Sequence, residues 1–263
     1  MRGLAALLMR EGAIVSGSDR PGSPHIDHLI DLGARVAVGQ RAENLPEQLD
    51  RVVISAAIKP DNPEYAAAVQ RQIPIVKYAT LLGEAMRARC GVAVAGTHGK
   101  STTTGLLAYM LTLAGLDPSY VVGADVSQLG GGSRAGSGPA FVAEACEYDH
   151  SYLKLYPRLA AILNVDFDHP DCYRDLSAVK ASFAAFAALV PSDGLLVGNG
   201  EDRNVPEVVE LISAPIETFA IDNERADWRA VNVQSFRGQC RFDLVYRGRK
   251  LGHARMKLPG RHN

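Results

Sequence analysis

Apolar and polar positions alternate along this chain in two successive rhythms. In residues 2–11, Leu4, Leu7 and Leu8 share one helical face and Gly12 closes the run. Residues 13–16 predict a strand running into Gly17-Ser18-Asp19. Further elements follow: a helix near 25–32, strands at 35–38 and 51–55, a helix near 62–72, a strand at 73–76 and a helix at 80–88. That βα rhythm predicts a parallel sheet with helices on both faces.

The second rhythm starts at Val92-Ala93-Val94-Ala95, an apolar run that reads as a buried strand. After a glycine-bounded loop, Leu106, Leu107, Met110, Leu111 and Leu113 recur at helical spacing until Gly115. Strands are predicted at 120–123, 141–143, 159–165, 194–199 and 216–220, with a loop over 128–138. Residues 176–189 predict an amphipathic helix whose Phe183, Phe186 and Leu189 form a core stripe. Residues 231–236, 240–246 and 251–258 then alternate across turns at Arg237-Gly238 and Arg247-Gly248, the pattern of a small antiparallel sheet with one wet face. The expected class is α/β. A Rossmann-like domain over 1–88 precedes a central domain over 89–263, built on a mostly parallel, P-loop-type sheet with the small antiparallel sheet beside it.

Composition changes this picture little. With 47% apolar and 22% charged residues and a net charge of −1, the 263 residues carry no basic field for nucleic acid or an anionic membrane. No apolar run approaches the ~18 residues of a membrane span, and a cytoplasmic location is expected. Cys90, Cys146, Cys172 and Cys240 are scattered, against a disulfide framework or a structural zinc site.

The candidate chemistry lies at strand ends. Gly96-Thr97-His98-Gly99-Lys100-Ser101 follows a strand and opens a helix, the setting that cradles phosphate on backbone N–H groups. Lys100 reaches the outer phosphates there, and the Ser101 hydroxyl suits Mg²⁺. Position 94, where the general P-loop has glycine, is valine. Phe141-Val142-Ala143 delivers Glu144 to a strand end, and a hard carboxylate there suits Mg²⁺ bridging phosphates. Ser16-Gly17-Ser18-Asp19 reads either as a nucleotide contact after a second strand or as a polar turn. His25, His28, His150 and His253 are expected to be surface or packing residues.

The run Gly96–Thr104 resembles the ATP loop of the Mur ligases, which build the peptide of bacterial peptidoglycan, and within them the branch acting on UDP-N-acetylmuramate and L-alanine. The resemblance implies ATP and Mg²⁺ as cofactors and small-molecule substrates, with Gly96, Thr97, His98, Gly99, Lys100, Ser101 and Thr102 around the nucleotide. It implies that Glu144 and His169, of Asp168-His169, hold metal with Ser101, and that Asn164 lies near the nucleotide. Lys100, Glu144 and His169 are then the catalytic set. Glu147 and Asp149 match acidic positions of the same motif. Where the family often has Asp and Ser, this chain has Cys146 and Tyr148. Ser18, Asp19 and Ser55 are expected near the UDP-sugar. Leu258-Pro259-Gly260-Arg261-His262-Asn263 resembles the start of an adenine-holding helix, which places His262 and Asn263 at the nucleotide. The family opens with a strand and a Gly-rich loop before such a first helix, so about a dozen residues are expected before Met1. A third, amino-acid-binding domain is expected beyond Asn263, and the chain without it is expected to turn over negligibly. Glu147-Tyr148-Asp149 also suits the recycling branch that attaches a tripeptide to UDP-N-acetylmuramate. A non-catalytic nucleotide-binding remnant is the remaining alternative.

Overall fold

The computed structural model describes residues 1–20, 26–258 and 260. In chain order the elements are α1 (Arg2–Arg10), β1 (Ser16–Asp19), α2 (Ile26–Asp31), β2 (Arg35–Val38), β3 (Val52–Ile54), α3 (Pro63–Gln70), β4 (Ile75–Lys77) and α4 (Tyr78–Arg87). Then come β5 (Cys90–Ala95), α5 (Lys100–Leu113), β6 (Ser119–Val121), β7 (Ser133–Arg134), β8 (Ala140–Glu144), β9 (Leu159–Ile162), α6 (Leu176–Ala187), β10 (Leu195–Asn199), α7 (Val205–Val209), β11 (Ile216–Ala220), β12 (Trp228–Phe236), β13 (Gln239–Tyr246) and β14 (Arg249–Met256).

One ten-stranded sheet, in the order β14-β13-β12-β11-β10-β9-β5-β8-β6-β7, forms the body. The strands from β12 to β6 run parallel, and β7, β13 and β14 are antiparallel to their neighbours. β5 lies between β8 and β9, with Val94 opposite Glu144 and Ala95 opposite Ile162. The chain leaves β5 towards β6 and β8 on one side, then crosses to β9 on the other. Such a reversal is where parallel sheets bind ligands, at the carboxyl ends of the strands. The three loops after β5, β8 and β9 therefore meet at one edge. Beneath them, Phe183 and Phe186 of α6 and Phe141 of β8 are buried in the core.

Three expectations need correction. The first strand is not 13–16 but Ser16–Asp19, paired residue for residue with Arg35–Val38. The apolar stretch before it closes α1 instead: Gly12 takes φ +94°, the Gly12 N–H donates to the Met9 carbonyl, and the Ala13 N–H donates to the Leu8 carbonyl at 2.9 Å. That is a Schellman turn, and it leaves Ile14 97% exposed. The parallel sheet expected in the first 88 residues is two separate two-stranded parallel sheets, β1-β2 and β3-β4, which no described strand joins. The antiparallel strands β12–β14 are no separate sheet. β12 pairs in parallel with β11 through Phe219 and Trp228, so they extend the main sheet.

α1 has a partner its amphipathic pattern did not reveal. Leu4 and Leu7 are buried in the same core as Leu81, Met86, Phe141 and Ala143. Gly3 lies against Ser133 of β7, where an added Cβ would stand 2.2 Å from the serine Cβ. Arg2 meets Asp125 at 2.7 Å, and Arg10 donates to Ala135 O and Ser137 Oγ. The short α7, five residues after Asn204, has too few turns to show a period in sequence; Asp202 Oδ1 accepts from the Asn204 and Val205 N–H groups at its start.

Candidate functional site

The loop after β5 is shaped by two glycines and one asparagine. Gly96 has φ +149°, and a Cβ there would lie 3.0 Å from Leu163 Cβ and 3.3 Å from Asn164 N. Gly99 has φ +82° and caps the N-terminus of α5. Asn164, just past β9, grips the turn from outside. Its Oδ1 accepts from the His98 N–H at 2.7 Å, its Nδ2 donates to the His98 carbonyl at 3.0 Å, and its own carbonyl accepts from the Thr97 N–H at 3.1 Å. Thr97 Oγ1 accepts from the Asp166 N–H at 2.9 Å and donates to Asp166 O at 3.2 Å. Asn199 and Asn204 in turn hold the carbonyls of Leu163 and Val165 at 2.9 and 2.7 Å. The first N–H groups of α5, which a helix leaves without internal partners, face this edge. A fixed loop at a helix N-terminus is a built site for anionic oxygens. His98 and Thr102 are exposed, and Ser101 is half-buried.

Charge collects on the inner side of the loop. Lys100 Nζ donates to Gly96 O at 2.6 Å, Thr97 O at 3.1 Å and Glu147 Oε1 at 3.0 Å. Glu147 leaves β8 just before a 3-10 turn, Tyr148–Lys154, and its side chain is 3% exposed. Its backbone carbonyl accepts from Tyr173 OH at 2.7 Å, and that hydroxyl also contacts Ser182 Oγ at 3.2 Å. His169 Nε2 lies 3.5 Å from Glu147 Oε1 and 3.9 Å from Asp168 Oδ2. The His169 ring is met edge-on by Tyr148 at 5.3 Å. Donor atoms of Glu147, Asp168 and His169 all lie within 4.8 Å of one another, a set able to hold a cation.

A Mg²⁺ ion is compatible with this set. Two carboxylates offer the hard oxygens it takes, and the imidazole adds one borderline nitrogen. Glu147 Oε2 is buried and accepts no hydrogen bond among the described residues, although it lies 2.9 Å from Lys100 Nζ outside hydrogen-bond geometry. A buried carboxylate whose one close cation is Lys100, beside two further donors, is a place where a second cation finds negative charge.

The structure thus gathers Lys100, Asn164, Asp168 and His169 of the sequence candidates, with Glu147 at their centre. Glu144 stands apart: its Oε2 accepts from the Gly123 N–H at 2.7 Å. Burial, and then the charge of Glu144, push the phenol of Tyr78 up to about 12. Ser18 Oγ donates to Glu64 Oε2 at 2.7 Å, and Asp19 Oδ1 accepts from the Arg20 N–H. Ser55 is half-buried past the end of β3. Glu64 is a residue the sequence reading missed; it also accepts from Asn44 Nδ2 at 2.6 Å. The signal was present in Asn62-Pro63-Glu64, an N-cap that fixes the first turn of α3 with Glu64 in it. Of the remaining histidines, His150 Nδ1 lies 3.1 Å from Ser182 Oγ and His253 pairs with Asp243. His25, His262 and Asn263 lie outside the described residues.

Comparison with known proteins completes the description. Residues 1–90 match the model described as "Mur ligase family, catalytic domain", and residues 94–263 match "Mur ligase middle domain". The chain is 44% identical over its full length to the UDP-N-acetylmuramate–L-alanine ligase of Caldanaerobacter subterraneus, covering 57% of that protein, and 38% identical to the Clostridium tetani enzyme of the same name, covering 58%. It therefore spans a little over half the length of the curated relatives it matches. Among solved structures, the UDP-N-acetylmuramate:L-alanyl-γ-D-glutamyl-meso-diaminopimelate ligase of Neisseria superposes with a TM-score of 0.88 at 31% identity, with 100% of this chain and 86% of that one covered. The Thermotoga maritima UDP-N-acetylmuramate–alanine ligase gives 0.85 at 24% identity, covering 100% and 59%, a likeness of fold.

Proposed function

Because the chain belongs to the Mur ligase family, we propose that it supplies the ATP- and UDP-sugar-binding part of a ligase joining L-alanine to UDP-N-acetylmuramate. The observation that carries this reading is the loop Gly96–Lys100, clamped by Asn164 and facing Glu147 and His169. In the proposed reaction the γ-phosphoryl group passes to the lactoyl carboxylate of UDP-N-acetylmuramate. The amine of L-alanine attacks the resulting acyl phosphate, and phosphate leaves. No protein nucleophile is needed; placement and charge compensation suffice.

Each residue's part follows from its position. Lys100 neutralises phosphate charge at the loop. The N–H groups at the start of α5 bind phosphate oxygens, those of Thr97 and His98 being held by Asn164. The resemblance assigns Mg²⁺ to Ser101, Glu144 and His169; Glu147 and Asp168, whose oxygens lie close to His169, join them in this reading. When bound, Mg²⁺ offsets the negative charge that builds on the phosphates. We assign the UDP-sugar to residues 1–88, near Ser18, Asp19 and Ser55, and the nucleotide to residues 89–263.

A second reading follows from the Neisseria neighbour, whose name describes addition of a tripeptide. Identities of 37–44% over the whole chain to alanine enzymes favour the first. Calorimetry of ATP·Mg²⁺ on this chain and on Lys100→Ala tests the reading. Binding that the variant loses supports it. Equal binding by both would remove the loop from the nucleotide site.

A further inference from the structure

Glu147 has two suitors, and they cannot both have it in the same way. On one side is Lys100 Nζ, 3.0 Å from Oε1. On the other is His169 Nε2, 3.5 Å from the same oxygen, with Asp168 3.9 Å further along. A carboxylate this deeply buried is costly without a positive partner. With the loop free of phosphate, Lys100 is that partner, and the ammonium's other hydrogen bonds go to the loop's own carbonyls at Gly96 and Thr97. A polyphosphate on the loop would draw Lys100 towards its own oxygens. It would then leave Glu147 as an unpaired negative charge beside more negative charge. Only a cation on the Glu147–Asp168–His169 side removes that conflict.

We propose that Glu147 is a shared counter-ion. It holds Lys100 while the loop is free and is handed to a hard divalent cation, together with Asp168 and His169, when a polyphosphate takes Lys100. This rests on the nucleotide reading above and adds to it a coupling: phosphate and cation strengthen each other's binding through one carboxylate, by the same factor in both directions. Three features support Glu147 in this part. Its side chain is 3% exposed, so solvent does not screen the exchange. Both of its oxygens lie within 3.0 Å of Lys100 Nζ, so the departure of Lys100 frees the whole carboxylate. Its backbone is pinned by the Tyr173 hydroxyl at 2.7 Å, so the carboxylate changes partner by side-chain rotation alone.

The test is calorimetric titration of ATP into the chain, with saturating Mg²⁺ and again in a chelator, for the unaltered protein, Glu147→Gln and Asp168→Asn. Thermal unfolding of each variant is recorded alongside. Glu147→Gln is expected to bind metal-free ATP more tightly than the unaltered chain, because nothing competes for Lys100. Its gain on adding Mg²⁺ should shrink by about tenfold, within the usual range for coupled sites. Asp168→Asn should lose part of the Mg²⁺ gain. A purely structural Glu147 would shift both affinities equally, and that result overturns the hand-over. If Glu147→Gln unfolds, Asp168→Asn decides alone, since its side chain is 45% exposed; an unchanged Mg²⁺ gain there is equally fatal. Failure of the unaltered chain to bind ATP in either buffer would overturn the nucleotide reading itself, and the hand-over with it.

Discussion

Asn164 shows how much of a phosphate loop's shape can depend on one side chain outside it. Both of its amide atoms bond the backbone of His98, and its carbonyl receives Thr97. Removing the amide in Asn164→Ala frees one N–H and one C=O of a residue that is already exposed, so water replaces the bonds. The expected stability loss is only about 1 kcal/mol. The loop, however, loses its fixed curvature. ATP affinity is therefore expected to fall by roughly tenfold or more, an effect of lost preorganisation. Urea unfolding and ATP titration on the same sample check the pair; a large stability loss with unchanged affinity would mean that Asn164 serves the fold and not the site. Asp243 makes a different residue-scale case. Hydrogen bonds from Lys250 and from Asn232, at a bulge in β12, hold its carboxyl at about 2 against a usual 3.8. A carboxyl lowered on folding favours the folded sheet above its unfolded value, and that advantage is lost as pH falls from 3.8 towards 2. Asp243→Asn should flatten that part of the acid unfolding curve, read by circular dichroism.

At the scale of elements, α1 is the sharpest test of packing. Leu7 is 1% exposed within the main core, so Leu7→Ala should cost about 2–5 kcal/mol. Gly3→Val should cost about 1–3 kcal/mol by forcing α1 off β7. A stability change near zero for both in urea unfolding would mean that the helix does not dock on the sheet. The sequence announced α1 itself, through Leu4, Leu7 and Gly12, but not its partner, because a helix's apolar face says that it is buried and not against what. The strand after it was misplaced for a related reason. Ser16-Gly17-Ser18-Asp19 has no apolar residue, and its place in a sheet is fixed by backbone pairing to Arg35–Val38, which no side-chain pattern encodes. In contrast β5, the loop and α5 were legible nearly to the residue, because an apolar run, glycines at required positive φ and a helical period all agree there. In the site, Lys100 was readable from its place between strand and helix, and Asn164 and His169 only through the family resemblance. The central place of Glu147 over Glu144 was not: the two are three residues apart at one strand end, and only the turn after β8 decides which points at Lys100.

For the whole molecule, the placement of tyrosines sets a limit on alkaline stability. Tyr120, Tyr152 and Tyr173 are each at most 3% exposed. Burial raises all three phenols above their usual value of 10, and burial with the charge of Glu144 pushes Tyr78 up to about 12. Tyr173 bonds Glu147 O and Tyr152 bonds Ser182 beneath the loop, while Tyr120 packs in a second cluster with Ala108, Val122 and Val142. The folded chain keeps their protons at a pH where the unfolded chain has released them. Stability is therefore complete below pH 10 and declines as pH rises from 10 through about 12, the value for Tyr78. Urea midpoints measured across this interval should fall steadily, with phenolate absorbance appearing together with unfolding and not before it. Tyr78→Phe removes one of the four groups without an ionisable replacement, so its decline should be shallower. A midpoint that stays level, or phenolate absorbance that precedes unfolding, would show that the hydroxyl network above α6 is open to hydroxide. The site would then be held by the loop and its glycines, and not by the buried tyrosines beneath it.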